Sequence, residues 1–148
     1  MRSTTENVAG IAAMAKALRL TLETAEADRT RLLAMKAVIL EALSDYPDIR
    51  LYSGQEGFVP NIITFGIKGV RGEVLVHAFE AHDIYISTTS ACSSKAGKPA
   101  GTLIAMGVPS QYAQTAVRVS LDEVNNMAEV EQFLTAFRLI YKDTEKVR

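Results

Sequence analysis

The strongest constraint on the fold is the helical spacing of apolar residues over residues 7–46. Steps of three and four residues place side chains on one face of an α-helix. The apolar residues at this spacing are Val8, Ile11, Ala15, Leu18, Leu22 and Ala25, then Leu32, Leu33, Met35, Val38, Ile39 and Leu43. We expect Thr4 or Thr5 to cap the start, and Pro47 prevents continuation at the other end. Either one bent helix or two helices are predicted, because the charged residues 23–31 interrupt the large apolar side chains.

Shorter predicted strands and helices follow this helical stretch. Alternating or β-branched runs predict strands, and apolar residues at three- and four-residue steps predict helices. The predicted strands are residues 49–53, 62–67, 84–87 and 117–121, and the predicted helices are residues 73–82, 102–106, 109–114 and a terminal helix from near Asn126. This order predicts an α+β fold in which helices pack against a small, mainly antiparallel sheet. We expect a single domain over residues 1–148.

Charge and hydropathy argue against several classes of partner. Sixteen basic and seventeen acidic residues leave a formal net charge of −1, so no bulk charge attracts nucleic acid or anionic lipid. No apolar run approaches the roughly 20 residues that span a bilayer, and residues 1–7 lack the pattern of a signal peptide. We therefore expect a cytoplasmic chain that binds neither nucleic acid nor membrane.

The single cysteine, Cys92, lies among small residues. One cysteine cannot form an internal disulfide, and the two histidines give no zinc-ligand spacing, so we expect no metal. Small neighbours leave the sulfur accessible, and the nearby Lys95 and Lys98 would favour a thiolate nucleophile. The alternative is a buried thiol that packs as a small hydrophobe. We expect residues 88–101 to form an irregular, mobile loop.

Arg118 is the second candidate site residue. It lies between Val117 and Val119, so its side chain points to the opposite face of the predicted strand. The planar guanidinium suits a carboxylate. A solvated strand residue or a salt-bridge partner is the alternative, and on the residues alone it is the commoner case. His77 and His82 lie on or just after a predicted helix, and we assign them no role.

Four segments resemble, in order, one protein family. Residues 87–94 read Ser-Thr-Thr-Ser-Ala-Cys-Ser-Ser and resemble the catalytic-cysteine loop of the nitrogen-fixation-type (group I) cysteine desulfurases, which belong to the class V aminotransferase superfamily. Matches within residues 2–11 resemble the stretch that follows the family's cofactor-binding domain. Residues 59–62 resemble the start of the small-domain core, and residues 117–121 resemble the strand with the substrate-carboxylate arginine. The resemblance covers nearly the whole chain.

The resemblance implies the carboxy-terminal small domain of a fold-type-I pyridoxal 5′-phosphate enzyme. In that family the cofactor lysine and most cofactor contacts come from a larger preceding domain, to which the N-terminal part of this chain would be a linking helix. None of the lysines from Lys16 to Lys146 maps onto the cofactor lysine. We therefore expect this chain alone to bind no cofactor covalently and to be inactive, while the full-length enzyme would be a homodimer.

The resemblance also implies roles for individual residues. Cys92 would accept the sulfur of L-cysteine as a persulfide, leaving L-alanine, and would deliver it to a sulfur-acceptor protein, as in iron–sulfur cluster assembly. Arg118 would bind the substrate carboxylate. Thr5 would contact the phosphate of the partner subunit's cofactor.

Three residues depart from the family pattern, since Thr4, Thr89 and Asp122 stand where glycine is usual. Threonine stiffens the backbone and disfavours positive φ, so these positions bear on fine specificity. One alternative function is another class V enzyme, a selenocysteine lyase or aminotransferase that keeps Arg118 and uses the cysteine loop differently. The other is a non-catalytic, stand-alone interaction module. The gene sequence upstream of Met1 would distinguish a stand-alone module from part of a longer enzyme.

Overall fold

The computed structural model describes residues 6–88 and 101–145. Within them the elements in chain order are α1 (Val8–Ser44), β1 (Ile49–Leu51), β2 (Ile62–Ile67), α2 (Gly72–Glu80), β3 (Ser87–Thr88), α3 (Gly101–Ala105), α4 (Ser110–Ala113), β4 (Ala116–Ser120) and α5 (Met127–Glu145). The strands form one sheet in the order β1-β2-β4-β3, and all neighbours are antiparallel. The predicted α+β fold with a small antiparallel sheet is confirmed.

The first helix, α1, is continuous through the charged segment, so a single helix occupies the stretch for which one or two were predicted. The expected cap by Thr4 or Thr5 is wrong. The side chain of Asn7 accepts a hydrogen bond of 3.0 Å from the Gly10 N–H instead, because a short amide side chain satisfies a free N–H of the first turn as well as a hydroxyl does. The helix ends three residues before Pro47, as expected.

Only the second half of α1 contributes to the core. Apolar side chains of the first half are exposed, whereas the second half buries Leu32, Met35, Lys36, Ile39, Leu40 and Leu43. This half is held against the loop before α5 by Arg31, whose guanidinium donates hydrogen bonds to the carbonyls of Glu123 and Asn125. The position of the sheet relative to α1 is therefore fixed at two places, by apolar packing and by Arg31.

The main core lies on one face of the sheet, between the strands and α1, α2 and α5. Side chains alternate between the two faces of a strand, so β2 and β4 each direct a row of apolar residues to this face. The strand residues of the core are Ile63, Phe65, Ile67, Val117 and Val119, and the main helix residues are Met35, Ile39, Leu43, Leu75, Phe79, Val130, Phe133, Leu134, Phe137 and Ile140. Burial of each large side chain contributes about 1.5–3 kcal/mol to folding.

The terminal helix α5 begins where its sequence predicts. The Asn126 side-chain oxygen accepts hydrogen bonds from the N–H groups of Ala128 and Glu129, at 3.0 and 3.2 Å. The Glu129 carboxylate accepts in return from the Asn126 N–H at 2.9 Å, which completes a capping box. Hydrogen bonds from the Asn125 side chain and the Asn126 backbone lower the pKa of Glu129, so the box is intact when this carboxylate is ionised.

Two predicted strands are shorter than expected. The strand predicted over residues 84–87 begins only at Ser87, because the Ile84 N–H donates to the Phe79 carbonyl at the end of α2 and is not part of the sheet. The first strand ends at Leu51. The predicted mobile loop over residues 88–101 lies almost wholly outside the described residues.

A smaller cluster covers part of the opposite face of the sheet. It comprises Leu103, Ala113 and Ala116, with Tyr52 and Val108 packed against them. The chain can approach β2 closely here because residue 66 is glycine. A Cβ at Gly66 would lie 2.4 Å from the Thr115 Oγ1 atom, whereas a Cβ at Gly101 would meet no atom of the described residues within 4 Å.

We expect Gly66→Ala to lower the free energy of unfolding by about 1–3 kcal/mol, because the added methyl group overpacks the contact with Thr115. Gly101→Ala is the matched control and should change stability by less than about 0.5 kcal/mol. Urea denaturation of both variants measures the difference. Equal stability of the two variants would contradict this account of the packing.

Candidate functional site

Arg118 lies in the middle of β4 and points away from the main core. Its neighbours Val117 and Val119 are buried, while Arg118 is exposed. Its backbone is fixed on both sides, opposite Thr64 of β2 and Ser87 of β3. The predicted alternation is confirmed, and it presents a permanently charged guanidinium on a rigid strand.

A cavity of about 270 Å³ lies against Arg118. The lining residues come from β2, β4, α3 and the connection between β1 and β2. They are Tyr52, Ser53, Phe58, Val59, Ile62, Thr64, Thr102, Leu103, Met106 and Arg118. Pockets for drug-sized ligands measure about 300–1,000 Å³, so this cavity has a size suited to a smaller molecule such as an amino acid.

The charge in the cavity is positive. In the described part of the chain, Arg118 contributes this charge and no carboxylate lines the cavity. The remaining walls combine apolar side chains with the hydroxyl groups of Ser53, Thr64 and Thr102. The exposed guanidinium is available to an anion and borders apolar side chains, so the cavity suits a small carboxylate that also carries an apolar part.

The wall next to β2 is held by hydrogen bonds that extend the sheet beyond β1. The Tyr52 N–H donates to the Thr64 carbonyl at 2.8 Å, and the Thr64 N–H donates to the Ser53 Oγ at 2.9 Å. Ser53 therefore has a fixed hydroxyl oxygen beside Thr64. Both hydroxyls belong to a wall whose backbone is already paired and does not need to rearrange to accept a ligand.

Tyr52 contributes shape and not acid–base chemistry. Its hydroxyl donates to the Tyr112 carbonyl at 3.2 Å. Burial raises the pKa of Tyr52, against a smaller opposing effect of the positive charge of Arg50. The phenol is thus protonated at neutral pH. Arg50 itself lies over the Tyr112 ring, 4.3 Å from its centroid, and stabilises the outer edge of the same wall.

The segment that contains Cys92 begins beside the strand of Arg118 and ends at this cavity. On one side β3 ends at Thr88, with Ser87 paired to Arg118 and Thr88 paired to Val117. On the other side α3 begins at Gly101, and the next residue, Thr102, already lines the cavity. Cys92 itself and Thr5 lie outside the described residues, so their predicted roles remain predictions.

In the described part of the chain the cavity offers a cation to a carboxylate, as the resemblance implies for the substrate end of a pyridoxal phosphate site, but no lysine for attachment of the cofactor. Within residues 6–88 and 101–145, no lysine lines the cavity. Lys36 contacts the lining residue Val59, but its ammonium is enclosed and donates to the Val59 carbonyl. Lys16, Lys68 and Lys142 are exposed elsewhere. The cofactor lysine and the predicted phosphate contact of Thr5 must therefore be sought outside these residues.

Sequence analysis did not identify the residues that surround Arg118. Thr64 could have been predicted to lie on the site face of the sheet, because it is a polar residue on the strand face opposite Ile63 and Phe65. Lys36 could also have been singled out, because a lysine on the apolar face of a helix that continues to Ile39 indicates a buried cation. No sequence feature indicates the position of Thr102 at the cavity, since that position depends on how α3 packs.

Neither a metal centre nor a membrane segment is found in the part of the chain that the structure describes. No three His, Cys, Asp or Glu side chains are grouped there to hold a metal ion. His77 is exposed and contacts Glu80 at 2.9 Å. No described helix is long and apolar enough to cross a bilayer.

Comparison with known proteins identifies one family. Residues 1–133 match the family model of class-V aminotransferases. A "NifS/IcsS protein homolog" of Lactobacillus delbrueckii subsp. bulgaricus is 47% identical over 99% of this chain, which corresponds to 38% of that relative. "Cysteine desulfurase IscS" of Methanosarcina thermophila is 34% identical over 90% of this chain and 33% of the relative. The chain thus spans less than two-fifths of the length of these relatives.

Solved structures agree with the sequence comparison. A NifS-like protein from Rickettsia africae superimposes with a TM-score of 0.79 at 26% identity, over 95% of this chain and 36% of that protein. A second NifS-like protein gives a TM-score of 0.80 at 27% identity, over 95% and 35% of the two chains. The match to the family model and the shared fold lead to one conclusion: this chain belongs to the class-V aminotransferase family.

Proposed function

We propose that the chain is the carboxy-terminal small domain of a cysteine desulfurase. Such an enzyme converts L-cysteine to L-alanine and transfers the sulfur to one of its own cysteines, here Cys92. The observation that carries the proposal is the Arg118 cavity, because the segment containing Cys92 starts after β3, which pairs with the strand of Arg118, and ends at a residue next to the cavity lining. Relatives named cysteine desulfurase or NifS homolog that match 90–99% of the chain support it.

Arg118 would bind the substrate carboxylate. A guanidinium can donate two parallel hydrogen bonds to a carboxylate, which fixes the orientation of the amino acid as well as its position. The central place of Arg118 in the sheet limits movement of its backbone. Substrate held in this way presents its side chain in a constant direction, which is the condition for efficient attack on its sulfur.

Cys92 would act on that sulfur. It follows Thr88 by four residues, and an extended chain of this length spans at most about 14 Å, so Cys92 lies no farther than this from the end of β3, the strand that pairs with the strand of Arg118. Its thiolate would form a bond to the substrate sulfur while the bond between that sulfur and the substrate's carbon breaks. The electron pair of the broken bond stays on the substrate side, the carbon takes up one proton to complete the methyl group of L-alanine, and Cys92 keeps the sulfur as a persulfide for an acceptor protein.

The complete enzyme would supply the rest of the site. Family membership implies pyridoxal phosphate, which when bound accepts the electron pair released at the substrate carbon. We propose that its lysine lies in a preceding domain, that Thr5 contacts the phosphate of the partner subunit's cofactor, and that the enzyme is a homodimer.

Arg118→Ala in the complete enzyme should lower kcat/KM for L-cysteine roughly 30- to 1,000-fold, because loss of a charge-assisted pair costs on the order of 2–4 kcal/mol. Steady-state kinetics measure the effect. Its control is stability, which should change by less than about 0.5 kcal/mol because Arg118 is exposed. An unchanged kcat/KM would remove Arg118 from the substrate site.

Cys92→Ala should abolish persulfide formation in the complete enzyme and leave cofactor binding intact, because the thiol acts only after substrate has bound. The cofactor absorbance spectrum provides the control.

In the unmodified protein Cys92 should also react with iodoacetamide under native conditions. A thiol that reacts only in denaturant would support the buried-cysteine alternative, and persulfide-forming turnover by the variant would exclude Cys92 as the acceptor.

Residues 1–148 alone should show no desulfurase activity when pyridoxal phosphate is added. The reason is that no lysine lines the Arg118 cavity in the described part of the chain. Absorbance spectra should show free cofactor and no lysine-bound form. Turnover of L-cysteine by the isolated chain would contradict the proposed division between this chain and a cofactor domain.

A further inference from the structure

Lys36 is a buried cation in the apolar half of α1. Its side chain is fully enclosed, with 0% exposure. Burial lowers the pKa of Lys36, because a low-dielectric surrounding disfavours the charged form. An enclosed ammonium without a partner is costly, so the partners of this group identify what it does.

The partners of Lys36 are in the connection between β1 and β2. Its Nζ donates a hydrogen bond of 2.8 Å to the Val59 carbonyl, and it lies 5.6 Å from the centroid of the Phe58 ring, within the range of a cation–π contact. The side chains of Phe58 and Val59 are themselves 45% and 55% exposed. Neither side chain is held in place by deep burial. The buried Lys36 ammonium is therefore the partner whose position is fixed by the core.

Phe58 and Val59 are also two of the residues that line the Arg118 cavity. The contact therefore joins α1, which is fixed in the core, to an exposed wall of the candidate site. We propose that Lys36 is a positioning residue, which holds Phe58 and Val59 in the place they occupy beside Arg118. The contact of Lys36 with Phe58 and Val59 is observed in the structure. Only the identity of the ligand, L-cysteine, rests on the proposed function.

The positioning role predicts an effect on binding more than on chemistry. Among the described residues, the contacts of Lys36 are with Phe58 and Val59 and not with Arg118, and the wall that these two residues form would contact substrate equally before and during the reaction. A displaced wall therefore weakens binding of the substrate in the ground state and in the transition state by the same amount. This raises KM and leaves kcat nearly unchanged. A residue needed only for general stability would produce no such separation.

The test uses the complete protein with Lys36→Met, which keeps the length of the side chain and removes the ammonium, and Lys36→Leu as a second apolar variant. KM for L-cysteine should rise about tenfold with kcat within about twofold. Backbone amide exchange over residues 54–60 should become at least about fivefold faster while β2 and β4 are unchanged. Lys36→Arg, which keeps a charged donor, should restore both values to within about threefold of the original protein.

Lys16→Met is the matched control, because Lys16 is an exposed lysine on the same helix, and it should change neither quantity. Unchanged exchange and unchanged KM in a folded Lys36→Met or Lys36→Leu protein would overturn the proposal. Faster exchange throughout the sheet would also overturn it, since Lys36 would then only support the core. If the original protein did not turn over L-cysteine, the proposed function would fail, and the exchange measurements alone would decide the role of Lys36.

Discussion

The antiparallel pairing of β2 with β4 is the constraint on which the other features of the structure depend. Its register places Phe65 opposite Val117 and Thr64 opposite Arg118. A shift by one residue would turn Val117 and Val119 out of the core and bury Arg118. The apolar residues that stabilise the sheet therefore also determine on which face the guanidinium stands, so that folding and site formation are a single requirement.

The two faces of the sheet have different chemistry for the same reason. One face is closed by α1, α2 and α5 over aromatic and aliphatic side chains, including a Phe79–Phe133 stack with centroids 5.1 Å apart. Within residues 6–88 and 101–145, the other face is covered only in part, by α3 and α4, which leaves the cavity beside Arg118. A rigid core behind an open site gives a fixed cation a defined direction, which a charged side chain on a free loop would lack.

Much of this arrangement was predictable from sequence, and the failures have physical causes. The spacing in α5 and the β-branched run of β2 identify elements whose apolar faces are needed in the core. Alternation around Arg118 predicted its exposure. The cap at Asn7 was missed because several residues nearby have capping side chains. The cavity depends on the approach of α3 and on the Lys36 contact, which join residues far apart in sequence.

The proposed reaction needs Arg118 and Cys92 in one site. Its most direct test is peptide mass spectrometry of the complete enzyme after incubation with L-cysteine, before any acceptor is added. The account predicts one additional sulfur atom on the peptide that contains Cys92, and a large reduction of this product in Arg118→Ala at the same substrate concentration. Sulfur on a different residue, or equal labelling of Cys92 in both proteins, would contradict it.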